Sequence, residues 1–555
     1  MINKITLIII ILLALVLRFW RLDTYPALNA DEAAIGYNAY SLIQTGLDEH
    51  GNSWPIHFQS FNDYKPGLYF YLVLPLVKIL GLNAWAVRIP GAILGVATVY
   101  IVYLLVKELL KDRFMQIKEL INAEMMASIA SLMLAISPWH IHYSRGGWEV
   151  NVATFFITYG VYMFIKILKK PDYSSFVLCT LSFALSLYAY HAARVVVPLL
   201  SLGLLVIYWR EIRKQIKNFL FIGLVGLFLL IPLMKDLTRS EISSRSVGVG
   251  LFADTGPLAR INEQRGQHSN YLGLSTKLLH NKVVNYGLAF ADNWAEHYQG
   301  EFLFLSGDVI QRNKVPETGQ MYLFDILFIV VGFIFIIKTF SQYTKPYSLI
   351  LWWLFIAPTA AALTFQSPHA LRAQIMVIPL TIISALGLEK MFRLIRDTRY
   401  AIRIASYVLL ITIVLWNFAR YEHMYWLHMA KEYPYSSQYG IEELVTYIKQ
   451  EQNKYSKVIV TARYDQPYIL FLYYMKYPPA KFQKEHVLTP RDQFGFSTVN
   501  NFDEYHFQAI NWDVDQRANP NSLLIGTPEE IPDASNIVKE IYGSNGYKYF
   551  QIVAN

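Results

Sequence analysis

The sequence predicts a multi-pass α-helical membrane protein with a C-terminal α/β domain, and three observations support this fold class. Hydrophobic residues make up 54% of the 555 residues and charged residues only 16%, whereas soluble proteins carry about 25% charged residues. Long apolar runs recur, among them "ITLIIIILLALVL" and "FLFIGLVGLFLLIPL", and about 20 apolar residues cross a bilayer. Basic residues cluster in the short loops between these runs, which is typical of loops that face the cytoplasm.

Five basic clusters, placed in the cytoplasm, determine the predicted topology. They lie at residues 107–118, 166–170, 210–217, 338–345 and 390–403. About eleven crossings then alternate between the two sides, near residues 5–20, 88–107, 124–141, 150–168, 176–190, 194–209, 219–235, 321–338, 347–364, 373–389 and 403–419. If the apolar stretch 66–82 also crossed, every later loop would change sides. We therefore predict that it forms a half-inserted or surface-lying helix on the outer side.

This topology divides the chain into two predicted domains. Residues 1–420 form a transmembrane domain that includes the outer loops 21–87 and 236–320, and residues 421–555 form a soluble extracytoplasmic domain. In the second domain "KVIVTAR" and "NSLLIGTPEEIP" have the pattern of buried strands, and "YSSQYGIEELVTYIKQEQ" has that of an amphipathic helix. The N-terminal run continues into "RFWRLD" without a small-residue cleavage site, which favours an uncleaved first span over a signal peptide.

The charge pattern argues against nucleic-acid binding, and the cysteine content excludes an intramolecular disulfide. The net charge of +8 is concentrated in the predicted cytoplasmic loops, so it does not indicate nucleic-acid binding. The single cysteine, Cys179, lies in an apolar run and can form no intramolecular disulfide.

The stretch "LNADEAAIGYNAY" places two adjacent carboxylates, Asp31 and Glu32, directly after the first apolar run. Asn29 followed by Glu32 fits a capping box at a helix start. The apolar stripe of this helix, extended back by one turn, predicts that Asp31 points toward the protein and Glu32 sideways. Capping and chemistry both remain open from this stretch alone.

Further titratable residues fall on the predicted outer face. Arginines suit phosphate because the planar guanidinium donates two parallel hydrogen bonds, although side chains at span ends also snorkel to the interface. The candidates for binding a phosphate are Lys65, Arg88, His191, Arg194, His369 and Arg372. "YHAAR" and "PHALR" share an H-x-x-R spacing, which predicts a His and an Arg one turn apart on a helix.

The turn "SPWHIHYSRGGWEVN" adds candidates of a different kind. Glu149 is a candidate second acid, and the alternative for it is an exposed salt bridge with Arg145, which contributes little stability. His140 and His142 could bind a metal ion, but contact with headgroups or plain solvation is the favoured interpretation.

An ordered set of motifs resembles the membrane glycosyltransferases that use lipid-phosphate sugars. The set consists of the acidic pair, then "NDYKPGLYFYL" (62–72), then "AVRIPGAILG" (86–95), then the turn "SPWHIHYSRGGWEVN". It is similar to that of protein O-mannosyltransferases and lipid A aminoarabinose transferases, which share the GT-C fold. The resemblance covers most of residues 1–200. It departs at Gly67, where such enzymes usually have a second proline, which predicts a looser helix start.

The resemblance implies an inverting transfer of one sugar from a polyprenyl-phosphate donor at the outer face. Asp31 would be the base for the acceptor hydroxyl, with Glu32 orienting the acceptor and Glu149 as a second acid. A positioned base contributes roughly 10²–10⁴-fold. Further candidates for binding the substrate are Asp63, His142 and Arg145, beside the phosphate candidates above.

Partners, cofactor and location follow from the same resemblance. The partners would be the polyprenyl-phosphate sugar, membrane lipid, and an acceptor protein, glycolipid or glycan, at the plasma membrane of a prokaryote. No metal cofactor is expected, although Asp31, Glu32 and Glu149 could supply oxygen ligands to a divalent cation. Two other functions stay open: a transporter, which needs charges or broken helices near the bilayer centre, and a glycoside hydrolase with two carboxylates.

Overall fold

The computed structural model describes residues 2–110, 122–239, 250–433, 436, 438–492 and 495–555. These residues form two compact units. The helical unit takes the described residues of Met1–Arg18, Gly91–Ser144 and Glu149–Glu422, and the sheet unit takes those of Phe19–Pro90, Arg145–Trp148 and His423–Asn555. The predicted basic residues at 111–118 lie outside the described residues.

Most elements of the described chain, from the N-terminus through the predicted outer loop 236–320, are helices. In chain order they are α1 (Ile2–Phe19), α2 (Ala30–Thr45), α3 (Leu68–Leu80), α4 (Ala84–Leu110), α5 (Ala123–Ile136), α6 (Pro138–Ser144), α7 (Glu149–Lys169), α8 (Tyr173–Ala189), α9 (Ala193–Ile207), α10 (Trp209–Lys214), α11 (Ile216–Leu237), α12 (Gly256–Gly266), α13 (Leu274–Leu279) and α14 (Lys282–Glu296). Short π-helical turns follow later at Glu301–Leu305 and Met424–His428.

The rest of the chain contains the last apolar helices and the helices of the C-terminal domain. They are α15 (Leu323–Thr339), α16 (Thr344–Ile356), α17 (Thr359–Ala362), α18 (Val377–Arg396), α19 (Tyr400–His423), α20 (Met429–Glu432), α21 (Ile441–Glu451), α22 (Pro467–Met475), α23 (Pro479–Glu485) and α24 (Trp512–Ala518).

Each predicted span coincides with one of these helices or with a pair of them. Among the described residues, five segments are long and apolar enough to cross a bilayer: Ala84–Leu110, Glu149–Lys169, Ile216–Leu237, Gln374–Arg396 and Tyr400–Glu432. The number of about eleven crossings therefore stays a prediction. The 13-residue helix α3 is about 20 Å long, shorter than a hydrocarbon core of about 30 Å. The predicted crossings α5 and α9 have only 14 and 15 residues, so the surface position of α3 also stays a prediction.

The sheet unit contains a hairpin and a mixed six-stranded sheet. The hairpin pairs β1 (His57–Ser60) with β2 (Asp63–Pro66). The sheet has the order β4-β5-β3-β6-β8-β7, with strands β3 (Lys457–Thr461), β4 (Asn501–Phe502), β5 (Tyr505–Gln508), β6 (Ser522–Gly526), β7 (Ile537–Tyr542) and β8 (Lys548–Ala554). Its central strand β3 runs parallel to both β5 and β6. The predicted C-terminal α/β character is therefore confirmed.

Helix α2 packs against the C-terminal part of the sheet unit. The Ala30 N–H donates to the side chain of Gln438 at 2.5 Å, and the Tyr37 hydroxyl donates to the carbonyl of Tyr477 at 3.1 Å. Gln483 donates to the carbonyl of Asp48 at 2.8 Å, just beyond the helix. The C-terminal domain thus supports the helix that carries Asp31 and Glu32, a role that its sequence did not indicate.

Candidate functional site

The first turn of α2 forms the capping box that the sequence predicts. The Asn29 side chain accepts from the Glu32 N–H at 3.0 Å, and the Glu32 carboxylate accepts from the Asn29 N–H at 3.2 Å. Capping therefore explains part of the acidic pair. It uses only one oxygen of Glu32, and none of the capping bonds involves Asp31.

Glu32 is the buried member of the pair, and the predicted orientation of the two acids is wrong. The Glu32 side chain is only 2% exposed, whereas that of Asp31 is 22% exposed. Arg88 donates to both Glu32 oxygens, from Nε at 2.6 Å and from Nη2 at 2.7 Å, and the Gly147 N–H donates to Glu32 Oε1 at 2.9 Å. The apolar stripe misled because a buried arginine 56 residues later compensates the Glu32 charge.

Arg88 uses all five of its donors within the sheet unit. Besides the two bonds to Glu32, Nη1 donates to the carbonyls of Leu22 and Pro26, both at 2.9 Å, and Nη2 donates to that of Ala27 at 3.2 Å. The side chain is fully buried. This arrangement leaves no Arg88 donor for a phosphate, contrary to the expectation from sequence, and makes Arg88 the residue that positions Glu32.

Asp31 and Lys65 form the accessible part of the cluster. Lys65 Nζ contacts Asp31 Oδ1 as an ion pair, and Nζ also lies 4.8 Å from the centre of the Phe61 ring. Lys65 is carried by the hairpin, whose turn residues Phe61 and Asn62 both have a φ of 57°, as a two-residue type I′ turn requires. The sheet unit therefore places a carboxylate beside an ammonium where part of the carboxylate reaches the surface.

The start of α3 is closely packed at Gly67, so the looser helix start that was expected there is not observed. The Gly67 N–H donates to the Ile56 carbonyl at 2.9 Å, and a Cβ at Gly67 would lie 2.7 Å from that same oxygen. A proline would lose this bond and collide with the carbonyl. Asp63, the other charged residue of the hairpin, is buried on the same strand as Lys65.

Arg145 belongs to the sheet unit and is buried there. Its Nε donates to the Tyr425 hydroxyl at 2.9 Å, and Nη2 donates to the Trp20 carbonyl at 2.7 Å. The guanidinium also lies 4.7 Å from the Trp426 ring, in a cation–π contact. The predicted alternative, an exposed salt bridge between Arg145 and Glu149, does not fit this buried side chain. The contacts of Arg145 hold residues 145–148 in place, including the Gly147 N–H.

In the helical unit, the first of the two H-x-x-R pairs lies at the start of α9, with His191 just before the helix and Arg194 on it. Arg194 Nη1 and His191 Nδ1 lie 2.9 Å apart at the start of α9. His369 and Arg372 lie in a turn rather than on a helix, and Arg372 donates to the Thr364 hydroxyl at 2.7 Å. The Ala373 N–H donates to the His369 carbonyl at 3.1 Å, so one hydrogen-bonded turn spans His369 and Arg372, and regular helix begins only after it.

Two loops of the helical unit converge on Asp308, a residue that the sequence did not single out as a site residue. Asp308 accepts from Asn313 Nδ2 at 3.0 Å and from the Ala370 N–H at 2.6 Å, and burial raises its pKa. His369 Nδ1 lies 3.7 Å from Asp308. Because one partner is a backbone N–H, no sequence pattern could have revealed the link.

The remaining candidates of the helical unit lie near these loops or begin a helix. His142 donates from Nε2 to the Arg312 carbonyl at 2.9 Å, which ties the turn before α7 to the segment after Asp308. Glu149 is the first residue of α7 and is half-buried. His140 is buried and lies 2.7 Å from the Arg18 guanidinium, so the solvated interpretation of this histidine is wrong.

Within the described ranges, no group of three or more His, Cys, Asp or Glu side chains is arranged to hold a metal ion. Glu32, one of the predicted oxygen donors for a cation, is already satisfied by Arg88 and the Gly147 N–H. The Gly147 donor was also missed from the sequence. A Cβ at Gly147 would lie 3.2 Å from Glu32 Cγ. The adjacent glycines of "RGGWE" are therefore the feature of the sequence that could have indicated this close approach.

Comparison with known proteins assigns the fold. Residues 64–234 match the family model of the dolichyl-phosphate-mannose-protein mannosyltransferases. The structure is similar to ArnT from Cupriavidus metallidurans bound to undecaprenyl phosphate, with a TM-score of 0.53, 11% identity, and coverage of 98% of this chain and 97% of that chain.

A second similar structure is the archaeal oligosaccharyltransferase AglB from Archaeoglobus fulgidus, in complex with an inhibitory peptide and a dolichol-phosphate. The TM-score is 0.50 at 13% identity, over 85% of this chain and 63% of that chain. The chain thus spans less than two thirds of the length of AglB. No curated protein sequence matches the chain. The chain has the fold of the GT-C membrane glycosyltransferases, as the resemblance in the sequence implied.

Proposed function

We propose that this protein is an inverting glycosyltransferase that transfers a single sugar from a polyprenyl-phosphate donor to an acceptor on the outer face of the membrane. The observation that carries the proposal is the Asp31–Lys65 ion pair at the start of α2. It sets a partly exposed carboxylate beside a cation, and the neighbouring Glu32 and Arg88 hold the turn in place.

Direct displacement at the anomeric carbon assigns a role to each group. The acceptor hydroxyl gives its proton to the Asp31 carboxylate while its oxygen bonds to the anomeric carbon. The bond from that carbon to the phosphate oxygen breaks, and the electron pair leaves with the polyprenyl phosphate. Asp31 thus acts as a general base. Lys65 holds Asp31, and its ammonium stabilises the negative charge of the departing phosphate. One displacement inverts the anomeric configuration.

The donor class is supported by what the similar proteins bind. The ArnT structure contains undecaprenyl phosphate, and the AglB structure contains a dolichol-phosphate. The matching family is named for dolichyl-phosphate-mannose. All three are polyprenyl phosphates or their sugar esters. A shared fold at low identity leaves the sugar open, and hexosyl and pentosyl donors are both consistent with the proposal.

Location and cofactor complete the proposal. We infer that Asp31 and the C-terminal domain 421–555 lie outside the cytoplasm, at the plasma membrane of a prokaryote. The basic clusters between the apolar helices support the outer location, since such clusters are typical of cytoplasmic loops. The acceptor, a protein hydroxyl, a glycolipid or a cell-envelope glycan, then arrives from the outer side. The proposed step uses no metal ion, so treatment with a chelator is expected to leave the rate unchanged.

The donor class can be tested with purified protein and radiolabelled sugars. We expect consumption of one polyprenyl-phosphate sugar, by transfer or by slow hydrolysis, and none of the corresponding nucleotide sugar. Consumption of the nucleotide sugar alone would overturn the proposal. Release of free sugar from glycosides, without any use of the lipid donor, would support the glycoside hydrolase.

The transporter receives less support from the structure. A transporter needs ionisable groups near the bilayer centre. The buried charges Arg18 and Asp325 instead lie in the last turn of α1 and the first turn of α15. Asp325 there caps the helix by accepting from the Tyr322 N–H at 2.9 Å. Movement of a substrate across vesicles, without chemical conversion, would restore this alternative.

A further inference from the structure

A segment of the helical unit exposes large aliphatic side chains that the proposed chemistry does not use. From the loop after α12 to the first half of α14, six such residues are each at least 60% exposed: Leu272, Leu274, Leu278, Leu279, Val283 and Leu288. Soluble surfaces rarely group so many apolar side chains without a partner. We name residues 264–291 the basic apolar segment.

The charge of this segment has one sign. Residues 264–291 contain Arg265, Lys277 and Lys282 but no aspartate or glutamate, and the nearest acids, Glu263 and Asp292, flank the segment. Lys277 and Lys282 are exposed among the aliphatic side chains. A helix or turn that combines exposed leucines with lysines and lacks acids matches the pattern of elements that lie in the headgroup layer of a membrane.

The end of the segment is attached to the end of an apolar helix pair. In the second half of α14, Trp294 donates to the Phe355 carbonyl at 2.9 Å, and Asn293 donates to the Thr364 carbonyl at 2.9 Å. Tyr298, just after α14, donates to the Leu354 carbonyl at 2.8 Å. Because α16 and α17 form the predicted span 347–364, these bonds fix α14 at the level where that span leaves the bilayer.

Hydrogen bonds within the segment hold its helices together. The Arg265 guanidinium donates to the His280 carbonyl at 2.7 Å, which joins the end of α12 to the end of α13. Asn281 caps α14 by accepting from the Val284 N–H at 3.0 Å. The exposed leucines are therefore displayed by an element that its own hydrogen bonds hold together.

We propose that the basic apolar segment lies in the outer headgroup layer of the membrane and binds anionic lipid. The leucines enter the acyl boundary, and Lys277 and Lys282 contact the phosphates of the lipid headgroups. The attachment to the end of α16 and α17 favours a lipid surface over a soluble partner, since it anchors the C-terminal part of α14 at the predicted outer end of that span. This proposal does not depend on the proposed function.

Quenching of a fluorescent label in the full-length protein tests the proposal. In a Cys179→Ser background, a label is attached at Leu278→Cys, and a matched label at Val487→Cys, an exposed aliphatic position of the sheet unit. The proteins are reconstituted in vesicles of phosphatidylcholine, or of phosphatidylcholine mixed with phosphatidylglycerol. Quenching by spin-labelled lipid and by aqueous iodide is then measured.

We expect the label at 278 to be quenched by the lipid probe and shielded several-fold from iodide relative to the label at 487. Shielding should increase with phosphatidylglycerol, and Lys277→Gln with Lys282→Gln should remove that increase. The control pair Lys454→Gln with Lys457→Gln, exposed lysines of the sheet unit, should keep it.

Three results would overturn the proposal or a part of it. Equal access of iodide to positions 278 and 487 would show that the segment lies in water. Shielding at 278 without quenching by the lipid probe would show that a protein, including a second copy of this chain, covers the leucines. A lipid contact that is independent of phosphatidylglycerol would overturn the role of the two lysines.

Discussion

Arg88 donates to both carboxylate oxygens of Glu32, at 2.6 and 2.7 Å, and both side chains are buried. A buried pair of this kind contributes little net stability, but removal of one partner leaves an uncompensated buried charge and costs about 3–5 kcal/mol. The geometry around Asp31 thus depends on the contact of its neighbour Glu32 with Arg88, which lies 56 residues further along the chain.

Arg88→Met is therefore expected to lower the thermal unfolding midpoint strongly. Replacing Glu32 by glutamine in the same variant should recover part of the loss, because the buried charge is then removed. Circular dichroism of the detergent-solubilised variants measures both. A stable Arg88→Met protein with only a raised donor KM would instead identify Arg88 as a phosphate ligand.

Gly67→Ala is expected to destabilise the hairpin and the start of α3. The new Cβ would lie 2.7 Å from the Ile56 carbonyl, and such overpacking typically costs about 1–3 kcal/mol. Gly67→Pro should cost more, since it also removes the bond to that carbonyl. Gly223→Ala, where a Cβ meets nothing within 4 Å, is the matched control. Equal unfolding midpoints for the alanine variants would refute the close approach at Gly67.

The stability of the protein should carry a pH-dependent contribution from Glu49. Burial raises the pKa of Glu49 from 4.5 to about 8, while Asn38 donates to it at 3.2 Å. The folded state therefore holds a proton that the unfolded state releases above its own pKa, and stability falls as the pH rises from 4.5 toward 8.

Glu49→Gln removes this loss. Unfolding midpoints of wild type and variant, measured across this pH range, should diverge in favour of the variant as the pH rises. The difference between the free energies of unfolding of variant and wild type is expected to grow by roughly 1.4 kcal/mol for each pH unit. A difference that is constant with pH, or that favours wild type at high pH, would show that Glu49 does not hold a proton in the folded protein.

Arg194 and Arg372 allow a test of the phosphate prediction in the helical unit. If they bind the donor phosphate, replacing either by alanine should raise the donor KM by roughly 10- to 150-fold, the effect of one lost charged hydrogen bond of about 1.5–3 kcal/mol. Steady-state kinetics with varied lipid donor measures this. Unchanged donor kinetics would leave both as anchors at the ends of apolar helices.

Much of the fold could be predicted because lipid imposes long apolar runs, and each predicted span coincides with a helix. Local signals also predicted the capping box of Asn29 and Glu32. The orientation of the acids could not be predicted, because it depends on Arg88, which is distant in sequence. The link between Asp308 and Ala370 could not be predicted, since the donor at Ala370 is a backbone N–H, a group that every residue but proline carries.

The central claim is that Asp31 takes the proton of the acceptor, and Asp31→Asn tests it most directly. Asparagine keeps the size of the side chain and leaves the Asn29–Glu32 capping box intact. Asp23→Asn, at an exposed position of the same segment, is the control. We measure single-turnover sugar transfer with saturating lipid donor, together with the unfolding midpoint of each protein.

The account predicts that Asp31→Asn folds like wild type but transfers sugar at least on the order of 10²-fold more slowly, the lower range for a lost general base, while Asp23→Asn keeps its rate. Wild-type turnover by a well-folded Asp31→Asn protein would contradict the account. The base would then lie elsewhere, with Glu149 the next residue to replace.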